Sequence, residues 1–273
     1  AWVAERIAEL AQVQVMDVGY CGRKDRHAVT TQWFSIYLPK KEMEPEWSRL
    51  NSDSIKILSA SRHQHKLRRG DHDTNRFIIR LRDVVVVDKP EFEQKIAEVL
   101  VHGVPNYYGE QRFGRNGNNL PEAHAILVEG KRIRDKQKRG LMLSAARSYL
   151  FNQVLAARVL ANNWQTLLDG EPEAYSTAPL WGRGRSAATG EALQVENIVM
   201  DAWAEWRDGL EHAGLSQERR LLILKPEAAS WRWLGEDLEV SFTLGSGEFA
   251  TTILRELAVL QSAIKTESAS GVI

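Results

Sequence analysis

Apolar residues recur at helical spacing from the start of the chain. Ile7, Leu10 and Val13, with Trp2 and Val3, predict an amphipathic helix over about residues 2–13. Short β-prone segments follow. Residues 18–20 (VGY) and 31–38 (TQWFSIYL) have the β-branched and aromatic content of strands. Residues 54–64 (SIKILSASRHQ) alternate as a strand would, with Ile55, Ile57 and Ser59 on one side. Residues 75–87 (NRFIIRLRDVVVV) read as a further strand, broken near Asp83, and Gly70 in RRGDHD supplies the turn between these two. A helix starting after Pro90 presents Phe92, Ile96, Val99 and Leu100 on one face and stops at Gly103. The first hundred residues thus predict an α+β unit with antiparallel pairing, not a βαβ repeat.

The pattern changes after Val104. Residues 106–120 (NYYGEQRFGRNGNNL) are rich in Gly and Asn with embedded aromatics and predict an ordered loop. Helices are expected over 121–129, about 140–161, and 196–212, with a turn-rich stretch at 169–191. Near the end, 238–244 (LEVSFTL) is a strand, 245–248 (GSGE) a turn and 249–264 a helix. The closing KTESASGVI is polar and is expected to fray. A strand–turn–helix that returns after a long helical stretch suggests that the middle is an insertion into the first domain.

Composition narrows the class. Of 273 residues, 43% are hydrophobic and 26% charged, the profile of a soluble globular protein with a substantial core. No apolar run approaches the roughly 18 residues that cross a bilayer, which argues against a membrane protein. The opening AWVAERIAELAQV lacks the charged start and small-residue cleavage site of a signal peptide. Cys21 is the only cysteine, so no internal disulfide forms, which fits a cytoplasmic location.

The net charge is zero, but the charge is not evenly spread. From Ser61 to Arg82, seven Lys/Arg face two Asp; from Lys131 to Arg139, six face Asp135, so each island carries +5. The remainder holds 23 basic and 33 acidic residues, a net of −10. Such islands on an acidic body can attract phosphates locally. On charge alone, each is equally a solvated strand or helix face.

The segment GYCGRKDRHAVTTQWF (19–34) carries the most chemistry. Asp25 stands between Lys24 and Arg26, with Arg23 and His27 nearby, and a carboxylate among cations can serve as nucleophile or base. Without further information this is a charged loop. Its pattern, however, with Gly19, Tyr20, Gly22, Lys24, Asp25, Ala28, Val29, Thr30 and Gln32 in register, resembles the signature of the tRNA pseudouridine synthase D (TruD) family. Three further blocks follow in the family's order: Asn75-Arg76-Phe77, VPNYYGEQRFG (104–114) and FTLGSGEFATTILREL (242–257). Weaker agreement lies in 146–158 and in APLWG (178–182). The resemblance spans nearly the whole chain.

That resemblance implies an α+β fold: a mostly antiparallel mixed sheet with flanking helices, built from residues 1–103 and 219–273. Residues 104–218 would form an inserted α/β domain, with the active site in a cleft between the two parts. It implies conversion of a uridine in the D-arm region of tRNA, position thirteen in glutamate tRNA, to pseudouridine, by a monomer that needs no metal, nucleotide or redox cofactor. Asp25 is then the catalytic carboxylate. Phe77 and Phe249 match positions that line the pocket of the flipped base, Asn75 would bond the base edge or orient Asp25, and Lys24, Gln111 and Arg112 are further substrate contacts. A phenylalanine in a strand is ordinarily core, so these roles rest on the motif match. Gly109, Gln111, Arg112 and Phe113 suit structural support of the inserted domain somewhat better than direct RNA contact.

The family pattern also includes segments, with a lysine near the aspartate, that would lie before residue 1. Gly245 stands where the family has proline, and Cys21 where it has alanine. Two other classes compete. One is a tRNA-binding or tRNA-folding module without catalysis; the other is a metal-dependent phosphodiesterase using His63, His65, His72 and Asp73. The surrounding cations would repel a dication at that cluster, which counts against a metal. Cys21 lacks a base partner and reads as a small packed side chain.

Overall fold

A computed structural model describes residues 2–22, 24–25, 28–40, 42 and 44–261. The chain divides into two compact units, Ala1–Asn75 and Arg76–Ile273.

The first unit opens with α1 (Trp2–Ala11), whose Ala4, Ile7, Ala8 and Ala11 are buried as the apolar spacing requires. A 3₁₀ turn, Val15–Asp17, leads into β1 (Val18–Tyr20), which pairs antiparallel with β2 (Phe34–Ile36). Ala4, Ile7, Ala8, Val18 and Leu50 form the core, with Tyr20, Phe34, Ile36, Trp47, Ile55 and Ile57 packed against it. Gly19 is required by crowding. A Cβ there would lie 2.2 Å from the carbonyl oxygen of Leu67, so the basic segment crosses β1 at the one residue without a side chain. Leu67 N–H donates to Ser35 Oγ (2.8 Å), Gly70 N–H to the Cys21 carbonyl (2.9 Å), and Lys66 Nζ to the Met16 carbonyl.

The second unit has two apolar cores. One gathers around the sheet β3 (Thr74–Leu81), β9 (Asp237–Gly245) and β8 (Glu227–Leu234), in that order, with β9 central. Flanked on both sides, β9 buries Leu238, Val240, Phe242 and Leu244. Onto this sheet pack α2 (Lys89–His102) and α7 (Ala250–Leu257), through Ile96, Leu100, Ile253 and Leu257. Asp88 caps α2 by accepting from Glu91 N–H (3.0 Å), and Gly103, at φ 81°, ends it. The chain then enters β4 (Val104–Pro105), which pairs antiparallel with β7 (Ile223–Leu224).

The other core lies between those two short strands in sequence. It is centred on α4 (Lys136–Leu160), whose Leu143, Leu150, Phe151 and Leu155 are almost fully buried. Around it stand α3 (Asn119–Leu127), α5 (Gly190–Asp201) and α6 (Ala204–His212), with the antiparallel pair β5 (Thr177–Leu180) and β6 (Glu218–Leu221). Charges are buried here as a network. Arg158 Nη1 lies 2.9 Å from Glu171, and Arg219 Nη2 lies 2.7 Å from Glu196 and 3.7 Å from Glu171. Thr177 donates to Glu171 and Ser186 to Glu196, which occupies further carboxylate lone pairs.

The α+β class holds, and the ladders β1–β2, β4–β7, β5–β6 and β8–β9 are all antiparallel. Several element assignments are corrected. Residues 54–64 join no ladder, although Ile55 and Ile57 do pack inward; their alternation reports one-sided burial, not strand pairing. The helix expected over 196–212 is two helices. Trp203 leaves the helical conformation (φ −122°, ψ 31°) where its ring meets Tyr149 at 4.9 Å and Trp206 at 5.4 Å, so aromatic packing overrides helix continuity. The final helix ends at Leu257 within the described residues, and KTESASGVI lies outside them. The strands β5 and β8 lie in stretches read as turns or left unassigned.

Candidate active site

The motif loop runs from β1 to β2, so the pairing of Tyr20 with Phe34 brings its two ends together. Lys24 and Asp25 are both exposed on it, while Arg23, Arg26 and His27 lie outside the described residues. Lys24 Nζ donates to Asn75 Oδ1 at 2.5 Å, which ties the motif loop to the start of β3. Of the residues expected to act, Lys24 and Asn75 are therefore brought together within the first unit. His72 is half-buried, and its Cε1 would lie 3.8 Å from a Cβ placed on Gly22. His65 N–H donates to His63 Nδ1 (3.2 Å), so that pair closes its own turn. Among the described residues, no three His, Cys, Asp or Glu side chains are grouped to hold a metal ion.

The remaining expected residues belong to the second unit. Phe77 follows Asn75 at the next half-buried position of β3. It packs on the sheet core with its ring 5.9 Å from that of Phe242. Phe249 is half-buried at the residue before α7 and packs on the α4 core. Gln111 is exposed on the 3₁₀ turn Glu110–Phe113. Arg112 is half-buried and held by α4: its Nε donates to Ser148 Oγ (2.9 Å) and its Nη2 to Ser144 Oγ (2.6 Å). Two of its nitrogens are thereby engaged in the scaffold.

Over Tyr108 the structure brings Arg112, already named from its motif, together with Arg220, a meeting that no sequence pattern showed. Arg220 stacks over the Tyr108 ring at 4.2 Å and Arg112 lies 5.1 Å from it. Arg220 Nη2 donates to Asn106 Oδ1 (2.7 Å) and Nη1 to the Gly247 carbonyl (3.4 Å). Arg147 Nη2 donates to the carbonyls of Leu180 (2.7 Å) and Ser216 (2.8 Å). Burial pushes both the Arg147 and Arg220 guanidiniums below their ordinary range, Arg112 adds to the depression, and Tyr108 opposes it. Arg220 comes from β6, a strand that propensity did not mark, so its convergence on the 106–108 segment was not visible in the sequence.

Gly245 has a specific use. Its N–H donates to Glu248 Oε2 at 2.7 Å, closing the turn that delivers Phe249. Proline, which the resemblance would place here, has no N–H to give. The turn here is fastened by the Glu248 carboxylate instead.

Comparison with known proteins defines first a class. A crystal structure assigned as the tRNA pseudouridine synthase D of Methanosarcina mazei superposes with a TM-score of 0.65 at 19% identity, covering 94% of this chain and 84% of that one. At that identity the likeness fixes the fold, an α+β fold of the pseudouridine synthase D kind. The family model for tRNA pseudouridine synthase D (TruD) matches residues 1–132. The tRNA pseudouridine synthase D of Cellvibrio japonicus (strain Ueda107) is 55% identical over 265 residues, 96% of this chain and 79% of that protein. That of Aeromonas salmonicida (strain A449) is 47% identical over 289 residues, covering 96% and 81%. The chain belongs to the tRNA pseudouridine synthase D family, and so to the isomerases.

Proposed function

We propose that this chain isomerises a uridine of the tRNA D-arm region, position thirteen as in glutamate tRNA, to pseudouridine, with Asp25 as its catalytic carboxylate. The bond from N1 to the ribose anomeric carbon breaks, the base turns, and carbon five forms the new bond while its hydrogen leaves to water. The observation that carries the reading is the exposed Lys24-Asp25 pair, presented on a loop closed by β1 and β2 and tethered through Lys24 to Asn75. Exposure suits a carboxylate whose partner is a nucleotide delivered from solution.

A uridine in structured RNA must leave its stack before its glycosidic bond is reached. Phe77 and Phe249 are proposed to receive its faces, such stacking being worth about 1–3 kcal/mol per base. Asn75, oriented by Lys24, is proposed to bond the base edge. Gln111 and Arg112 are proposed as contacts to the RNA around it. Residues 1–103 with 219–273 are proposed as the catalytic domain and 104–218 as its insertion; the separation of the sheet core from the α4 core supports that division. Among the described residues no helix is long and apolar enough to cross a membrane. Action as a cytoplasmic monomer without metal, nucleotide or redox cofactor completes the proposal.

The test uses tRNA tritiated at carbon five of uridine, incubated with the parent and with Asp25→Ala in the presence of chelator. Tritium released by the parent alone supports the reading. Equal release by both removes Asp25 from the chemistry. Binding of tRNA without release by either favours a tRNA-binding module.

A further inference from the structure

The second basic island borders an open surface hollow. Between α3 and α4 the chain leaves an open hollow of about 440 Å³, lined by Ile126, Ile133, Lys131, Arg132, Arg134 and Arg139. Its floor is apolar, because Ile126 and Ile133 also pack against the α4 core. Its rim is cationic. Lys131 is paired with Glu122 at 3.1 Å, and Arg139 reaches the Ala213 carbonyl at 3.4 Å. Arg132 and Arg134 are exposed and have no ion-pair partner among the described residues.

Local stability does not explain these cations. Asp135 is committed as the cap of α4, accepting from the N–H groups of Gln137 (2.8 Å) and Lys138 (3.1 Å). No acidic residue stands in the first turn of α4, where Lys136, Lys138 and Arg139 are found instead. A helix start favours anions, so beyond the Asp135 cap these cations gain nothing from the helix and raise the local positive potential. An apolar floor beneath guanidinium groups matches one nucleotide: sugar and base against the isoleucines, phosphate oxygens against the arginines.

We propose that this hollow is a second RNA-docking site, which takes one backbone nucleotide of the tRNA other than the isomerised uridine. The inference rests on the tRNA reading above. Arg139 precedes Ser144 and Ser148, the residues that hold Arg112, by five and nine positions on α4. At 1.5 Å per residue the hollow lies roughly 8–14 Å along the helix from them. That separation makes it a site of its own, and one that a continuous RNA strand can span.

The experiment measures tRNA affinity against salt concentration and, on the same proteins, tritium release at saturating tRNA. The variants are Arg132→Ser/Arg134→Ser, the hollow-filling Ile133→Trp, and the charge-matched control Lys95→Ser/Lys225→Ser on exposed positions of the other core. Thermal unfolding of each shows that it is folded. The double arginine variant is expected to lose about tenfold or more in affinity at physiological salt. Its log–log salt slope should flatten by about 0.7–0.9 for each phosphate no longer neutralised. Ile133→Trp should lose affinity without changing the slope. Both should keep the parent's maximal rate within about twofold, since neither touches the reacting uridine. Equal weakening by the lysine control, or parent-like affinity in both hollow variants, overturns the proposal. A parent that binds tRNA but releases no tritium sinks the isomerase reading, while the affinities still decide the hollow.

Discussion

Asp25 and Arg158 are both charged residues, and the protein treats them in opposite ways. Asp25 stands exposed on a loop between two three-residue strands. Arg158 and Glu171 are 3% and 1% exposed, and their polar atoms bond to Asn163, Thr166 and Thr177 as well as to each other. In its proposed role Asp25 must be reachable by a macromolecule, and an exposed side chain leaves little of the fold dependent on it. A buried ion pair is tolerated only when every partner is present, so much of the fold depends on it. Removing side chains from the two regions should therefore give opposite phenotypes.

The largest expected effect is on activity. Asp25→Ala should lower pseudouridine formation by about 10²–10⁴-fold or more, while thermal unfolding stays within about 0.5 kcal/mol of the parent. A large loss of stability in that variant would break the contrast. Next, Glu171→Gln should cost about 3–5 kcal/mol in urea unfolding, because Arg158 keeps its charge and loses its carboxylate. The turnover of molecules still folded should match the parent. A third variant joins the two regimes: Glu248→Ala releases the Gly245 N–H and loosens the turn before Phe249. It should cost about 0.5–1.5 kcal/mol of stability and raise KM for tRNA more than it lowers kcat.

The smallest effect is a pH dependence. The backbone N–H of Asp83 and then the Arg80 guanidinium hold the Asp237 carboxyl below its usual range. A carboxyl whose folded pKa is depressed stabilises the fold above its unfolded value and stops doing so as pH falls through the folded one. Asp237→Asn should therefore converge with the parent in melting temperature at the acid end and fall below it above about pH 4. A constant difference across that range would show that Asp237 contributes through packing alone.

Much of this was legible in the sequence, and the parts that were not share a cause. The first helix, the stop at Gly103, the break at Asp83 (φ 51°) and the central strand 238–244 all follow from local rules of spacing, capping and β-propensity. The motif residues were legible because their order and spacing match a family signature. The hairpin of β8 and β9 was also within reach: Trp231 and Trp233 alternate, and Gly235 begins a two-residue turn between Leu234 and Asp237. The break at Trp203 and the meeting of Arg112 and Arg220 over Tyr108 were not. Each depends on side chains far apart in the chain meeting in space, which no window of sequence contains.

The pairing of β4 with β7 has a consequence for how the chain can vary. Val104 lies opposite Leu224, so the polypeptide leaves the sheet core and returns to it at neighbouring points. Everything between is an excursion whose two ends already touch. Insertions or deletions within it leave the spacing of those ends unchanged, and a short reverse turn would span the same gap. Changes of length far from β4 and β7 can thus be absorbed within the excursion while the two strands keep their register.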